Sequence, residues 1–156
     1  MKRTEYLSTR LREVLLDGKW IANTNVKEQI TAINEKQATH QTGDLNTIAA
    51  LTFHLTYYLK GILNVFNGGD LEIRDKYSFD LPDITSEEDW NSLVSDFVSS
   101  SEKFIQDVET MDDEQLDEDF VKSTYGSYYR NIEGVIEHSY YHLGQMVLLS
   151  RLLKNK

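Results

Sequence analysis

Histidine is the residue type with the most specific chemistry in this chain of 156 residues, which contains four histidines and no cysteine. His138 and His142 stand four residues apart, so on a helix both imidazoles project from one face about one turn apart. Two ring nitrogens at that spacing can converge on a metal ion at about 2.0–2.1 Å. The lack of cysteine excludes thiol catalysis by the chain itself and zinc–thiolate sites.

A third histidine, His54, lies in the middle of another helical segment, one turn from Leu51 and Tyr58. An imidazole that faces the interior of a helical bundle must find hydrogen-bond partners or a metal. Each histidine taken singly could be a core residue whose ring nitrogens form hydrogen bonds. If the two helices face each other, however, one metal ion would bind the nitrogens of all three. The fourth, His40, precedes this segment in a polar stretch and is expected to be exposed and inert.

Four segments with helical periodicity must position these histidines. Apolar residues recur at spacings of three and four over about residues 3–18, 45–67, 86–110 and 128–154, and no long stretch alternates as a strand would. The pattern predicts an all-α protein with one domain over residues 1–156, built as a four-helix bundle.

Local signals mark the ends of these segments. Gly68-Gly69 is expected to close the second helix, since glycine tolerates the left-handed conformation that a helix C-cap requires. Thr85, with Glu88 three residues on, predicts a capping box that opens the third helix. Asn25, followed by Glu28, indicates a short additional helix between the first two long ones.

The charge distribution narrows the classes of partner. Asp and Glu number 26 against 16 Lys and Arg, a net charge of −10, so nucleic acid and anionic membranes are not expected as partners. No apolar run approaches a membrane span and the first residues lack a hydrophobic signal core, so a cytoplasmic location is expected. Residues 80–120 hold 15 acidic side chains and one basic one, which indicates a solvated helix face and an acidic loop at 112–119. That loop lacks the glycine and the spacing of a calcium-binding loop.

Two sequence motifs resemble those of a known family. Residues 46–55, NTIAALTFHL, are similar to the second-helix motif of the DinB/YfiT-like superfamily. Residues 136–146, IEHSYYHLGQM, are similar to its last-helix motif, in which H-x-x-x-H is followed by x-G-Q. Trp20 and Gly68-Gly69 also fall where such proteins often carry them.

The resemblance implies an up-down-down-up four-helix bundle with a divalent metal ion held by three histidines. By motif match these ligands are His54, His138 and His142. Relatives of this kind include thiol S-transferases that use bacillithiol or mycothiol, a maleylpyruvate isomerase and hydrolases. Many members have no assigned activity.

The leading functional hypothesis is therefore a metal-dependent enzyme that acts on a small-molecule substrate, with thiol transfer favoured over hydrolysis. The metal could be Zn, Ni or Fe, and a low-molecular-weight thiol is the expected cosubstrate because the chain has no cysteine. Tyr58, Tyr141 and Gln145 are candidates to line the site, and no general base is identified. Because members of the resembling family often pair, a homodimer is the expected assembly. Two functional alternatives stay open: a non-catalytic bundle that binds metal or a small ligand or acts through dimerisation, and a bundle whose histidines are merely packed.

A thiol transferase also needs a patch that tolerates a negatively charged cosubstrate. Arg130, Lys122 and Arg74 are the candidates for this role, although nothing in the sequence places them beside the histidines.

Overall fold

All regular secondary structure is helical in the computed structural model, which describes residues 1–154. The α-helices are α1 (Arg3–Arg12), α2 (Val26–Thr31), α3 (Glu35–Ala38), α4 (Ile48–Phe66), α5 (Glu87–Thr110) and α6 (Tyr128–Lys154). The first continues as a π-helix over Glu13–Asp17, and 3₁₀ turns occur at Asp75–Tyr77, Asp113–Asp117 and Ser123–Tyr125. Within residues 1–154 there is no strand, only an isolated bridge between Asp119 and Ser127. The prediction of an all-α protein is confirmed.

The four long helices share one apolar core. Helix α5 packs against both α1 and α4, and α6 also contacts both of them. The largest fully buried side chains come from all four helices and include Leu7, Leu11, Leu51, Leu55, Trp90, Phe97, Phe104 and Ile132. Each such side chain stabilises the fold by about 1.5–3 kcal/mol relative to an exposed one. None of the helices described is long and apolar enough to cross a membrane.

The ends of α4 are set by its flanking residues. The Thr47 side chain accepts a hydrogen bond from the backbone N–H of Ala50, so the helix begins at Ile48 rather than near residue 45. At the other end Gly68 has a φ of 89°, the left-handed conformation expected there. The predicted cap at Asn25 is also confirmed, because its side chain accepts from the N–H of Glu28 at 2.8 Å.

The predicted cap of α5 is wrong by one residue. Ser86 is the N-cap, and its hydroxyl accepts from the N–H of Asp89 at 3.1 Å. Thr85 instead donates its hydroxyl and its N–H to the Asp89 carboxylate. Thr and Ser stand side by side here and both suit an N-cap, so only the backbone path distinguishes them.

The connection between α4 and α5, residues 67–86, runs across the surface of α4. It approaches closely at Gly61, where an added Cβ would lie 2.2 Å from Cγ2 of Ile73. The Tyr57 hydroxyl accepts a hydrogen bond from the N–H of Arg74 at 2.8 Å. These contacts hold the connection against the face of α4 that carries His54.

The connection between α5 and α6, residues 111–127, is tied to the start of the chain. The Arg3 guanidinium donates to the carboxylates of Asp113 and Asp117 at 2.8–3.0 Å. Leu116 and Phe120 are buried in the core. The side chains of these two aspartates remain accessible to solvent, as expected for the acidic loop, and their ion pairs in addition join segments more than 100 residues apart in sequence.

Candidate metal centre

Three histidine side chains converge where α4 meets α6. The Nε2 atom of His138 lies 3.1 Å from Nε2 of His54 and 3.0 Å from Nε2 of His142. One ligand atom from each of the three histidines lies within 4.8 Å of the other two. His54 and His142 are buried, and His138 is half-buried. The helical spacing of His138 and His142 therefore produces the shared face that the sequence indicates, and α4 brings His54 to it.

Hydrogen bonds on the far side of two rings orient their Nε2 atoms. Nδ1 of His54 lies 3.2 Å from the backbone carbonyl of Ser78, and Nδ1 of His142 lies 2.7 Å from Oε1 of Gln145. Both oxygens are acceptors, so each Nδ1 carries the hydrogen and donates it. In the neutral imidazoles, Nε2 of His54 and of His142 therefore presents a lone pair to the cluster.

This arrangement fits a divalent cation. Nε2 of His138 can carry at most one hydrogen, so it cannot donate fully to both neighbouring lone pairs. A cation would accept all three lone pairs. Nitrogen ligands about 2.0–2.1 Å from one ion lie about 2.8–3.4 Å apart when the angles range from octahedral to tetrahedral. The two Nε2 separations of 3.0 and 3.1 Å fall within that range.

The protein keeps these rings neutral. Burial lowers the pKa of His138 from 6.5 to about 4, with a further contribution from the neighbouring charges of His142 and His54. Burial is also the main cause of the lowered pKa of His54 and of His142. Neutral imidazole is the form that binds metal, so little proton competition is expected near neutral pH.

The α4–α5 connection supplies contacts that the sequence does not reveal. The Phe79 ring stacks on His54 with the ring centroids 4.0 Å apart and the planes within 7°. The Tyr58 hydroxyl donates to Asp75, and its ring packs edge-on against His54 and His138. Burial and the bond to Asp75 raise the pKa of Tyr58 to about 12, so its hydroxyl stays protonated. No local pattern marks Asp75, Ser78 or Phe79, because their role depends on the path of the connection.

The other residues singled out from the sequence lie at different distances from the cluster. Gln145 contacts His142 directly through its hydrogen bond. Tyr141 packs edge-on against His142, but its side chain is 65% exposed. His40 is half-buried and lies outside the three-histidine group, so the expectation that it is exposed is wrong.

The two nearby carboxylates on α6 have arginine partners. Glu137 lies 3.3 Å from Arg130, and Glu133 lies 3.6 Å from Arg10. These contacts leave neither glutamate as an evident general base at the histidines.

The fold and the cluster define an all-helical protein with a three-histidine site that could hold a divalent metal ion. The family model of the DinB superfamily matches residues 22–146, which is more than half of the chain. The chain belongs to the DinB superfamily. No curated protein and no solved structure gives a significant match to it.

Proposed function

We propose that this protein is a metal-dependent enzyme whose single divalent cation is held by His54, His138 and His142. The observation that carries the proposal is the convergence of three Nε2 atoms, two of which have their tautomer set by an acceptor on Nδ1. Three imidazole ligands leave coordination positions open for water or substrate, which is typical of catalytic rather than structural sites. Zn, Ni and Fe all suit such a ligand set.

We propose thiol S-transfer as the reaction class. A divalent cation held by the three histidines would lower the pKa of a bound thiol or water and so supply a nucleophile near neutral pH. The chain has no cysteine, so the thiol would come from a low-molecular-weight cosubstrate. The thiol would give its proton to solvent, and its sulfur would form a bond to an electrophilic carbon of the small-molecule substrate as the leaving group departs from that carbon with the electron pair. Tyr58, fixed by Asp75 and edge-on to two of the histidines, would orient the substrate beside the cluster.

The first test is elemental analysis of protein purified without affinity resin or added metal, followed by calorimetric titration with Zn²⁺ and Ni²⁺. We expect about one equivalent of metal in the unaltered protein. His54→Ala and His142→Ala should each lower the affinity by at least about tenfold while leaving the helical circular dichroism largely intact. His40→Ala is the matched control and should bind as the unaltered protein does. Unchanged binding in both site variants would overturn the assignment.

The second test separates thiol transfer from hydrolysis. The metal-loaded protein is incubated with an electrophile with and without a thiol, and the products are identified by mass spectrometry. A thioether that forms only with the metal-loaded protein supports thiol transfer. A product of water attack, formed at the same rate without thiol, would replace thiol transfer with the hydrolase alternative.

The remaining alternative is a non-catalytic metal-binding homodimer on an up-down-down-up bundle. Its support is a row of exposed apolar side chains on α6, formed by Tyr141, Leu148 and Leu152. Residues at spacings of seven and four share one side of a helix, so this row could face a second copy. Light scattering of the unaltered protein and of Leu148→Glu tests it: a dimer that the substitution dissociates supports pairing through α6, and a monomer at high concentration excludes it.

A further inference from the structure

A cleft of about 430 Å³ opens beside the three-histidine cluster, between α4 and the first half of α6. His138 and Tyr58 line one part of it. The rest is formed by apolar side chains and by polar groups, namely Ile62, Tyr125, Arg130, Asn131, Gly134 and Val135. The same cavity is therefore lined by a candidate metal ligand and by an arginine.

One side of this cleft carries positive charge in an acidic protein, although Asp75 and Glu137 contact the cleft residues Tyr58 and Arg130. The segment from residue 120 to residue 132 contains Lys122 and Arg130 and no acidic side chain, whereas the 40 residues before it are strongly acidic. The Lys122 ammonium lies 4.7 Å from the ring centroid of Tyr125, a residue of the cleft wall. An anion bound on the side formed by residues 120–132 would therefore meet positive charge, although the whole chain carries a net charge of −10.

Arg130 is available to such an anion. Its carboxylate partner, Glu137, lies 3.3 Å away, and both side chains are about three-fifths exposed. Exposed pairs of this kind are weak, so a ligand carboxylate can compete for the guanidinium. Gly134, one turn along α6 from Arg130, leaves room beside it, because an added Cβ would meet only Nη1 of Arg130 at 3.9 Å.

We propose that this cleft binds an elongated small thiol that carries a carboxylate, with the carboxylate on Arg130 and the sulfur at the three histidines. This inference rests on the proposed metal-dependent thiol chemistry. Arg130 and His138 are eight residues apart on α6, about 12 Å along the helix axis, so the two ends of the ligand must be separated by several carbon atoms. The apolar walls at Ile62 and Val135 suit a hydrocarbon chain between them.

The test compares two thiols of equal chain length, one ending in a carboxylate and the other in a neutral alcohol. Protein loaded with Co²⁺ is titrated with 6-mercaptohexanoate and with 6-mercaptohexanol, and the sulfur-to-cobalt absorption band reports binding. We expect the carboxylate to bind about tenfold more tightly, as a charge-assisted hydrogen bond of about 1.5 kcal/mol implies. Arg130→Gln should remove that preference without changing the affinity for the neutral thiol. Arg151→Gln, on the exposed last turn of α6, is the matched control and should keep it.

A steric pair of variants tests the location independently. Gly134→Leu should weaken binding of both thiols because the new side chain projects into the cleft, while Co²⁺ affinity stays unchanged. Gly144→Leu lies on the same helix, where an added Cβ meets nothing within 4 Å, and should bind both thiols normally.

The outcomes distinguish this inference from the proposed function. If Co²⁺ does not bind, the proposed metal-dependent function fails, and this inference fails with it. If Co²⁺ and both thiols bind but the carboxylate gives no preference, or Arg130→Gln leaves the preference intact, the metal site stands and the anion subsite is wrong.

Discussion

The two long connections of this protein look alike in sequence and serve different purposes. Both are polar and acidic, and both contain a short 3₁₀ turn. The α4–α5 connection places the Ser78 carbonyl and the Phe79 ring against His54. The α5–α6 connection buries Leu116 and pairs two of its aspartates, Asp113 and Asp117, with Arg3. Composition does not decide whether such a segment supports the site or the fold; the partner against which it lies does.

The largest effect is expected in the α5–α6 connection. Leu116 is fully buried, so Leu116→Ala removes buried methyl groups and leaves a cavity. We expect a loss of about 2–5 kcal/mol in the free energy of unfolding, measured by urea denaturation. Metal affinity at temperatures where the variant is folded should match that of the unaltered protein. A large loss of metal affinity in the folded variant would mean that the two connections are coupled.

The next effect concerns the acceptors that orient the histidines. Gln145→Ala removes the oxygen that accepts from His142, and we expect metal affinity to fall by about 10- to 100-fold in calorimetric titration. Gln145→Glu keeps an acceptor and should retain or increase the affinity. Ser78→Ala leaves the backbone carbonyl beside His54 in place, so it should have little effect. Equal losses in the Ala and Glu variants of Gln145 would exclude the orienting role.

The two regions should also lose stability in different pH windows. The pKa of His138 is about 4 in the folded chain against 6.5 ordinarily, so the unfolded chain binds more protons between these values. The free energy of unfolding of the metal-free protein should therefore fall as the pH drops from about 6.5 to about 4. Because this ring is half-buried and partly screened by water, we expect the loss to be smaller than that from Leu116→Ala.

The α5–α6 connection should lose stability at a lower pH than the histidine cluster. Hydrogen bonds from Arg3 lower the pKa of Asp113 and of Asp117 below the ordinary 3.8. Their stabilisation is present above that value and is lost as the pH falls below it. Urea denaturation across pH in the presence of chelator, repeated on His138→Phe, checks the assignment. In this variant the free energy of unfolding should depend less on pH between about 4 and 6.5. An unchanged pH dependence in that range would contradict the role of His138.

The smallest effect is expected from the stacked ring of the α4–α5 connection. Phe79→Ala removes the ring from His54, and a ring contact of this kind is worth about 0.5–1.5 kcal/mol. We expect metal affinity to fall by about two- to tenfold in the same titration. The free energy of unfolding should change little because Phe79 is 41% exposed. Phe79→Tyr should restore the affinity, and a loss as large as that of Phe79→Ala would exclude the stacking explanation.

The presence of the four long helices could be predicted from the sequence, but the residues at which they begin could be predicted less well. Four segments of recurring apolar residues correspond to the long helices, because amphipathic periodicity is encoded within each segment. The shift from Thr85 to Ser86 arises where two good caps are adjacent in sequence. The short helix α3 was missed because four residues carry no detectable period.

The sequence by itself determined that α6 presents His138 and His142 on one face, because that spacing is a property of the helix alone. The meeting of His54 with this pair was expected from its place in the middle of a second long helix and from the family resemblance, but it depends on how α4 packs against α6. Tertiary structure alone decided which carbonyl and which ring lie beside His54, and that Arg130 shares a cleft with His138. The physical reason is that helical periodicity is local, whereas the path of a connection and the walls of a cleft are set by contacts between segments distant in sequence.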